Sequence, residues 1–290
     1  MRCHFWLPAA IGSLFMAALI GWLARPLSQR PDQLRSSLAD LLDHDSTVVS
    51  SVVPKVPPGA DHVPLEIRVG LVSQSPITAF RPGPNVLCRH QHGDVIPAQE
   101  LMKRIASSPQ HEIHCSGGPV QINQQHYQGD VSLVKGQADW LPVVSLDLET
   151  YVASVVGAEM PSSWHGEALK AQAVAARSYA MAHLARPATT AYHLGDTTRW
   201  QVFAGEQSTT PASRSATRET RGIILSYSGG IVESLYASNA QVSAEAHGHL
   251  GASMSQSGAQ QLAHQGLPFN AILGRYYAGA SLARLTWHDQ

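Results

Sequence analysis

Hydrophobic and polar positions alternate along this chain between about residue 65 and residue 145. The runs LEIRVGLV, PITAF, GPVQIN, VSLVKG and LPVVSL are bounded by Gly, Pro and Asn, and their apolar side chains recur at a spacing of two. Successive side chains of a strand point to opposite faces, so this period predicts short strands forming a β-rich region. From residue 146 the period lengthens. In LDLETYVASVVGAEM, residues Leu148, Val152, Val155, Val156 and Met160 fall on one face of a helix, and Asp147 is placed to cap its start. A second helix is predicted over Glu167–Leu184, with Leu169, Ala173, Ala176, Tyr179 and Ala180 as a stripe suited to close packing and Ser162 or Ser163 as its cap. Beyond residue 187 the pattern reads as a polar loop, then the strand GIILSY, an SGG turn and the strand IVESLYAS. Helices are expected from about Ser257 to Gln265 and over FNAILGRYY. The expected fold is α+β, a β-rich part packed with an Ala-rich helical pair and further short strands.

The amino end departs from this pattern. Arg2 precedes an uncharged stretch from Cys3 to Ala24, closed by Arg25. Its length fits a spanning helix of about 20 residues better than a signal-peptide core, and no clean small-x-small cleavage site follows. The reading is an uncleaved signal anchor over residues 1–25, with a cleaved signal peptide or a buried helix as alternatives. The fixed charges around it do not settle its orientation. Residues 26–64 turn to Ser, Asp and Pro, with one short helical stretch, LRSSLADLL, and read as a linker. The body then divides into a β-rich part over 65–145 and a region over 146–290.

Composition narrows the function. Charged residues make up 14% of the 290, and the formal net charge is −1. No run of Lys or Arg interleaves with aromatics, so nucleic acid is not an expected partner. Cys88 and Cys115 are the thiols of the body, and their flanks read CRHQH and HEIHC. Three readings stay open: a disulfide, two unpaired structural thiols, or a zinc site drawing on His90, His92, His111 and His114.

The chemistry centres on Glu159. It stands among Val155, Val156, Met160 and Trp164 and is followed within two residues by Pro161. Desolvation and the negative pole of the helix C-terminus both disfavour its charged form and raise its pKa. A carboxyl held protonated near neutrality can protonate a leaving oxygen. The plain alternative is a helix-end glutamate bonded to Arg177 or Lys170. Asp147, Glu149 and Glu167 are not placed to form a carboxylate pair with it, whereas ordinary glycoside hydrolysis uses two. A lone acid instead suits attack by a hydroxyl of the sugar itself.

The stretch LPVVSLDLETYVASVVGAEMPSSWHGEALKAQAVAARSYAMAH resembles the SpoIID/LytB family (stage II sporulation protein D and amidase enhancer LytB), with its E-M-P segment followed by ALKAQAVAAR. DTTRWQVFAGE, with Asp196, Gln201, Phe203 and Gly205, ATRETRGIILSYSGGIVESLYAS and GHLGASMSQSGAQQLAHQGLPFNAILGRYYAGASL extend the likeness to about residues 65–285. The resemblance implies a peptidoglycan lytic transglycosylase, cutting between N-acetylmuramic acid and N-acetylglucosamine with Glu159 as the catalytic acid. It also implies substrate-binding roles for Arg177, Lys170, Gln172, Tyr236 and Gln256, with Arg177 orienting the acid or contacting sugar. No cofactor is implied; some relatives carry a Cys/His zinc site in the loop at His193, but no cysteine accompanies His193 here, so no metal is expected in that region. With the amino-terminal segment as anchor, the expected setting is extracytoplasmic and membrane-anchored, and the expected partners are glycan strands, the membrane through that helix, and a cell-wall amidase. The chain departs from the family after Ser238, where NAQVSAEAHGHLG replaces a longer double-glycine segment and Leu250 stands for a glycine. That departure motivates a rival reading as a non-catalytic glycan-binding or amidase-enhancing module; a metal-dependent wall protein using the Cys88 and Cys115 cluster is a further rival.

Overall fold

The computed structural model describes residues 52–59, 63–90, 93–107, 112–136, 139–248 and 252–286. The expected signal anchor and the LRSSLADLL stretch lie outside the described residues, and no described helix is long and apolar enough to cross a membrane. The body is a mixed α+β fold, as the two periods predict.

Ten strands make up its first part: β1 (Glu66–Gly70), β2 (Phe80–Pro82), β3 (Leu87–His90), β4 (Val95–Ile96), β5 (Ile113–Ser116), β6 (Val120–Ile122), β7 (Gln125–Tyr127), β8 (Asp130–Lys135), β9 (Trp140–Asp147) and β10 (Leu194–Gly195). Seven of them form one sheet in the order β10-β1-β9-β8-β5-β3-β4, antiparallel except for the β1–β10 pair. A second sheet joins β2, β6 and β7. The alternation in VSLVK decides which face is buried: Val131 and Leu133 are inside while Ser132 is half-buried. Cys88 stands directly opposite Cys115 in the β3–β5 ladder, and the two are joined in a disulfide. That bond removes the zinc reading at these cysteines, because both sulfurs are committed. Among the described residues no group of three or more His, Cys, Asp or Glu side chains is arranged to hold a metal.

Helix α1 (Ala98–Ala106), which the period analysis did not anticipate, buries Leu101 and Ile105, lies against β2, and takes the Trp140 indole N–H on its Ile105 carbonyl. Helix α2 (Leu148–Glu159) follows β9 directly, and the Asp147 carboxylate accepts the Glu149 and Thr150 N–H groups at its start. Helix α3 (Gly166–Ala185) is capped by His165, whose Nδ1 accepts the Glu167 N–H, rather than by the serines the sequence offered. Its burial is also wider than one stripe: nearly every residue from Ala168 to Ala182 is inside. A helix apolar on all sides is a central helix, and α3 is surrounded by α2, a helix α4 (Pro211–Glu219) and the later helices and strands. Alanine makes this possible, since its small side chain lets neighbouring backbones approach closely.

The stretch after residue 187 is not all loop. Helix α4 has few apolar residues, and is held instead by Pro211 at its first position and by a capping box between Thr210 and Ser213. Strand β11 (Ile223–Tyr227) pairs with β12 (Gly230–Ile231), whereas β13 (Leu235–Ala237) leaves that sheet to pair with β14 (Ser253–Ser255). The expected single strand IVESLYAS is therefore broken at Ser234, whose hydroxyl donates to the Ala175 carbonyl. The segment that departs from the family pattern contains helix α5 (Ala240–His247). Helices α6 (Gln256–His264) and α7 (Phe269–Tyr276) and strand β15 (Ser281–Arg284) complete the body. Part of the stretch read as linker lies against it: Asn270 donates to the Pro54 carbonyl, and Arg284 to those of Pro57 and Pro58.

Candidate active site around Glu159

Glu159 is the last residue of α2, and the chain turns to extended conformation at Met160. Two neutral donors hold its carboxyl. The Val202 backbone N–H reaches Oε1 at 2.9 Å, and the Gln256 side-chain amide reaches Oε2 at 3.2 Å. Burial pushes the carboxyl above its ordinary pKa of 4.5, and these two hydrogen bonds pull it back only in part. The group opens onto a cleft of about 350 Å³ whose walls include Tyr179, Trp200, Tyr236 and Gln256. Among the described residues lining that cleft, Glu159 is the one carboxyl.

The Val202 donor is placed by a loop that the side chain of Asp196 ties down. That carboxylate accepts the Ser73 N–H at 3.1 Å and the Ser73 hydroxyl, and the Trp200 N–H closes a turn onto the Thr197 carbonyl. A Cβ at position 195 would strike the Trp200 ring, so Gly195 is what lets this loop fold over. At the cleft wall the Arg199 guanidinium lies over the Trp200 ring, 4.9 Å from its centroid. Behind Glu159, Gln201 ties two buried phenols together: its amide oxygen accepts the Tyr151 hydroxyl at 2.9 Å, and its amide nitrogen donates to the Tyr236 oxygen at 2.9 Å. Burial raises both phenols far above 10, and the nearby Glu159 charge adds to the shift. Both tyrosines therefore stay neutral hydrogen-bonding groups across the working pH range.

The structure gathers Tyr236 and Gln256 around Glu159 and sends the other expected site residues elsewhere. Arg177 is 0% exposed, and its guanidinium forks onto Glu149 at 2.9 and 2.7 Å while also donating to the carbonyls of Ile223 and Thr217. Every donor is committed to the fold behind the cleft, so it neither orients Glu159 nor lines the described cleft. Lys170 bridges Glu167 and Glu219, each at 2.7 Å. The plain alternative for Glu159, a bond to Arg177 or Lys170, is thereby not realised. Gln172 is fully buried in α3, and neither polar atom of its amide has a hydrogen-bond partner among the described residues. Gln201 and the Val202 N–H are the contributors that sequence reasoning passed over as site groups. The signal was present in the DTTRWQVFAGE motif, but a backbone N–H carries no residue signature.

Residues 137–227 match the family model described as stage II sporulation protein, SpoIID. Over these residues the chain carries a SpoIID segment. An uncharacterized protein of Brachyspira hyodysenteriae is 34% identical over 116 residues, covering 40% of this chain and 32% of that protein. The amidase enhancer of Bacillus subtilis is 40% identical over 85 residues, covering 29% of this chain and 11% of that protein. The chain thus aligns with about a third of one relative and about a tenth of the other. The SpoIID match takes in α2, α3, α4 and β11, and with them Glu159, Gln201 and Val202. Tyr236 and Gln256 fall beyond its end, supplied by the strand and helix that close the cleft.

Proposed function

We propose that this chain acts on the cell wall as a lytic transglycosylase, cleaving peptidoglycan between N-acetylmuramic acid and N-acetylglucosamine with Glu159 as both acid and base. One observation carries the reading: a buried carboxyl of raised pKa, bonded by neutral donors, opening onto a cleft without a second carboxyl among its described walls. Two-carboxylate hydrolysis needs a partner acid to activate water or attack the sugar. A single acid supports a different sequence of events. Protonated Glu159 gives its proton to the bridging oxygen as the glycosidic bond breaks, and a hydroxyl of the same muramic acid residue attacks the anomeric carbon. The Glu159 carboxylate takes the proton released by that hydroxyl. The product is an anhydro-muramic end, no water is consumed, and the acid is restored. Val202 and Gln256 hold the carboxylate formed midway, and Tyr179, Trp200 and Tyr236 line the cleft in which the sugar would lie. An extracytoplasmic location with the amino end anchored in the membrane fits this substrate.

A second reading has its own support. Val242, Ala246 and His247 of α5, the helix formed by the departing segment, line the same cleft, and the printed name of one relative is an amidase enhancer. A chain that holds glycan and aids a cell-wall amidase without turnover would use that scaffold. The deciding experiment incubates the full chain with purified glycan strands, with and without stem peptides, and seeks anhydro-muramic ends by mass spectrometry. Their formation by the native chain and disappearance in Glu159→Gln supports the enzyme; bound but uncut strands with both proteins support the second reading.

A further inference from the structure

A second cavity, of about 290 Å³, lies at the other end of α2, between that helix, α4 and the turn at Gly205–Ser208. On α4 and just past it, Arg214, Arg218 and Arg221 recur at spacings of four and three, and all three line the cavity. Three acids line it as well, so formal charge does not choose its ligand. Prior commitments do. Glu149 is taken by Arg177 and the Gly222 N–H, Asp147 caps α2, and Glu206 accepts from Gln128. Arg218 gives an N–H to Ser215. Among the described residues neither Glu149 nor Glu206 pairs with Arg214 or Arg221, and the buried Arg221 Nε has no hydrogen-bond partner. Thr217, 3% exposed and also in the wall, has a buried hydroxyl that is likewise unpartnered. Buried donors in folded proteins are nearly always satisfied, and a planar guanidinium matches a carboxylate in particular.

We propose that this cavity is a recognition site for the carboxylate of a short peptide, received by Arg214 and Arg221. Taking the peptide to be the stem of a glycan strand rests on the transglycosylase reading above; the carboxylate chemistry does not. The two sites share structural parts. Glu149 and Glu159 stand about 15 Å apart along one helix axis, and the loop that presents the Val202 N–H to Glu159 continues into Phe203 and Gly205 of the second cavity's wall.

The test titrates the full chain, by calorimetry, with N-acetyl-D-alanyl-D-alanine and with the same dipeptide amidated at its C-terminus. The free acid is expected to bind at least about tenfold more tightly, the scale of one charge-assisted hydrogen bond. Arg214→Ala, at an exposed side chain, is expected to erase that preference while leaving the unfolding midpoint and the cutting of stem-free strands unchanged; Arg214→Lys should restore it in part. Equal binding of acid and amide, no binding of either, or a preference untouched by both Arg214→Ala and Arg221→Ala overturns the proposal. Peptide binding by a chain that makes no anhydro ends would sink the catalytic reading and leave this one standing.

Discussion

Helix α2 carries a glutamate in its first turn and another at its last residue, and the two have opposite surroundings. Glu149, with a side chain 11% exposed, meets a buried guanidinium that grips both its oxygens, and takes a backbone N–H besides. Glu159 meets only an amide and a backbone N–H, both neutral. The difference lies in compensation. A cation in forked contact offsets the loss of water around a carboxylate, whereas neutral donors offset only part of it, so the proton stays on to higher pH. The paired acid holds α2 to α3 and to the start of β11; the unpaired acid is left able to exchange a proton.

The largest expected effect tests the second half of that contrast. Glu159→Gln removes the proton donor while preserving shape, and initial rates of anhydro-end formation should fall by about 10² to 10⁴-fold. Retained activity would mean that the acid lies elsewhere. The first half is tested by Arg177→Met, which strands Glu149 without its cation. Breaking a buried pair from one side should cost about 3 to 5 kcal/mol, read from the urea midpoint, with little change in rate per folded molecule. A large loss of catalysis in a fully folded Arg177 variant would restore this residue to the active site.

The neutral surroundings of Glu159 also carry a pH dependence. Because the folded-state pKa of Glu159 is raised, its contribution to stability is full below about 4.5 and is lost as pH rises through the folded value. Glu159→Gln should therefore gain a few degrees in Tm on the native chain at pH 8, and the gap should close toward pH 4. Under the transglycosylase reading, the native chain's rate of anhydro-end formation should fall over the same interval, as its acid loses the proton. Gln256→Leu deletes a hydrogen bond that favours the ionised form, so the basic limb of that profile should move to higher pH, a shift read from rates across a pH series. An unmoved limb would separate Gln256 from the titration of Glu159. The smallest effect belongs to Lys170→Ala. Its bridges to Glu167 and Glu219 are partly open to water, with side chains 21%, 25% and 47% exposed, and such pairs contribute about 0 to 1 kcal/mol in denaturation experiments.

Much of this was legible in the chain because it is local. Asp147 caps α2 through N–H groups two and three residues away, and the strand alternation in VSLVK follows from backbone geometry alone. Helix α4 was missed for a local reason too, since its stability sits in a capping box and not in an apolar period. Arg177 shows where motif reading overreaches. The position matches the family pattern, yet its guanidinium is committed to a buried ion pair with a residue 28 positions earlier.

The sequence by itself determined that Glu159 ends an apolar helix, that Pro161 follows, and that an alanine-rich helix comes next. It also put Cys88 and Cys115 in strand-forming stretches without deciding between disulfide, free thiols and metal. Tertiary structure alone decided the partners. It brought Val202 across 43 residues and Gln256 across 97 to the two oxygens of Glu159, turned Arg177 toward Glu149, and set the cysteines face to face in adjacent strands. The physical reason is range: capping, periodicity and turn chemistry act over a few residues, whereas desolvation and hydrogen-bond pairing depend on what packing brings together.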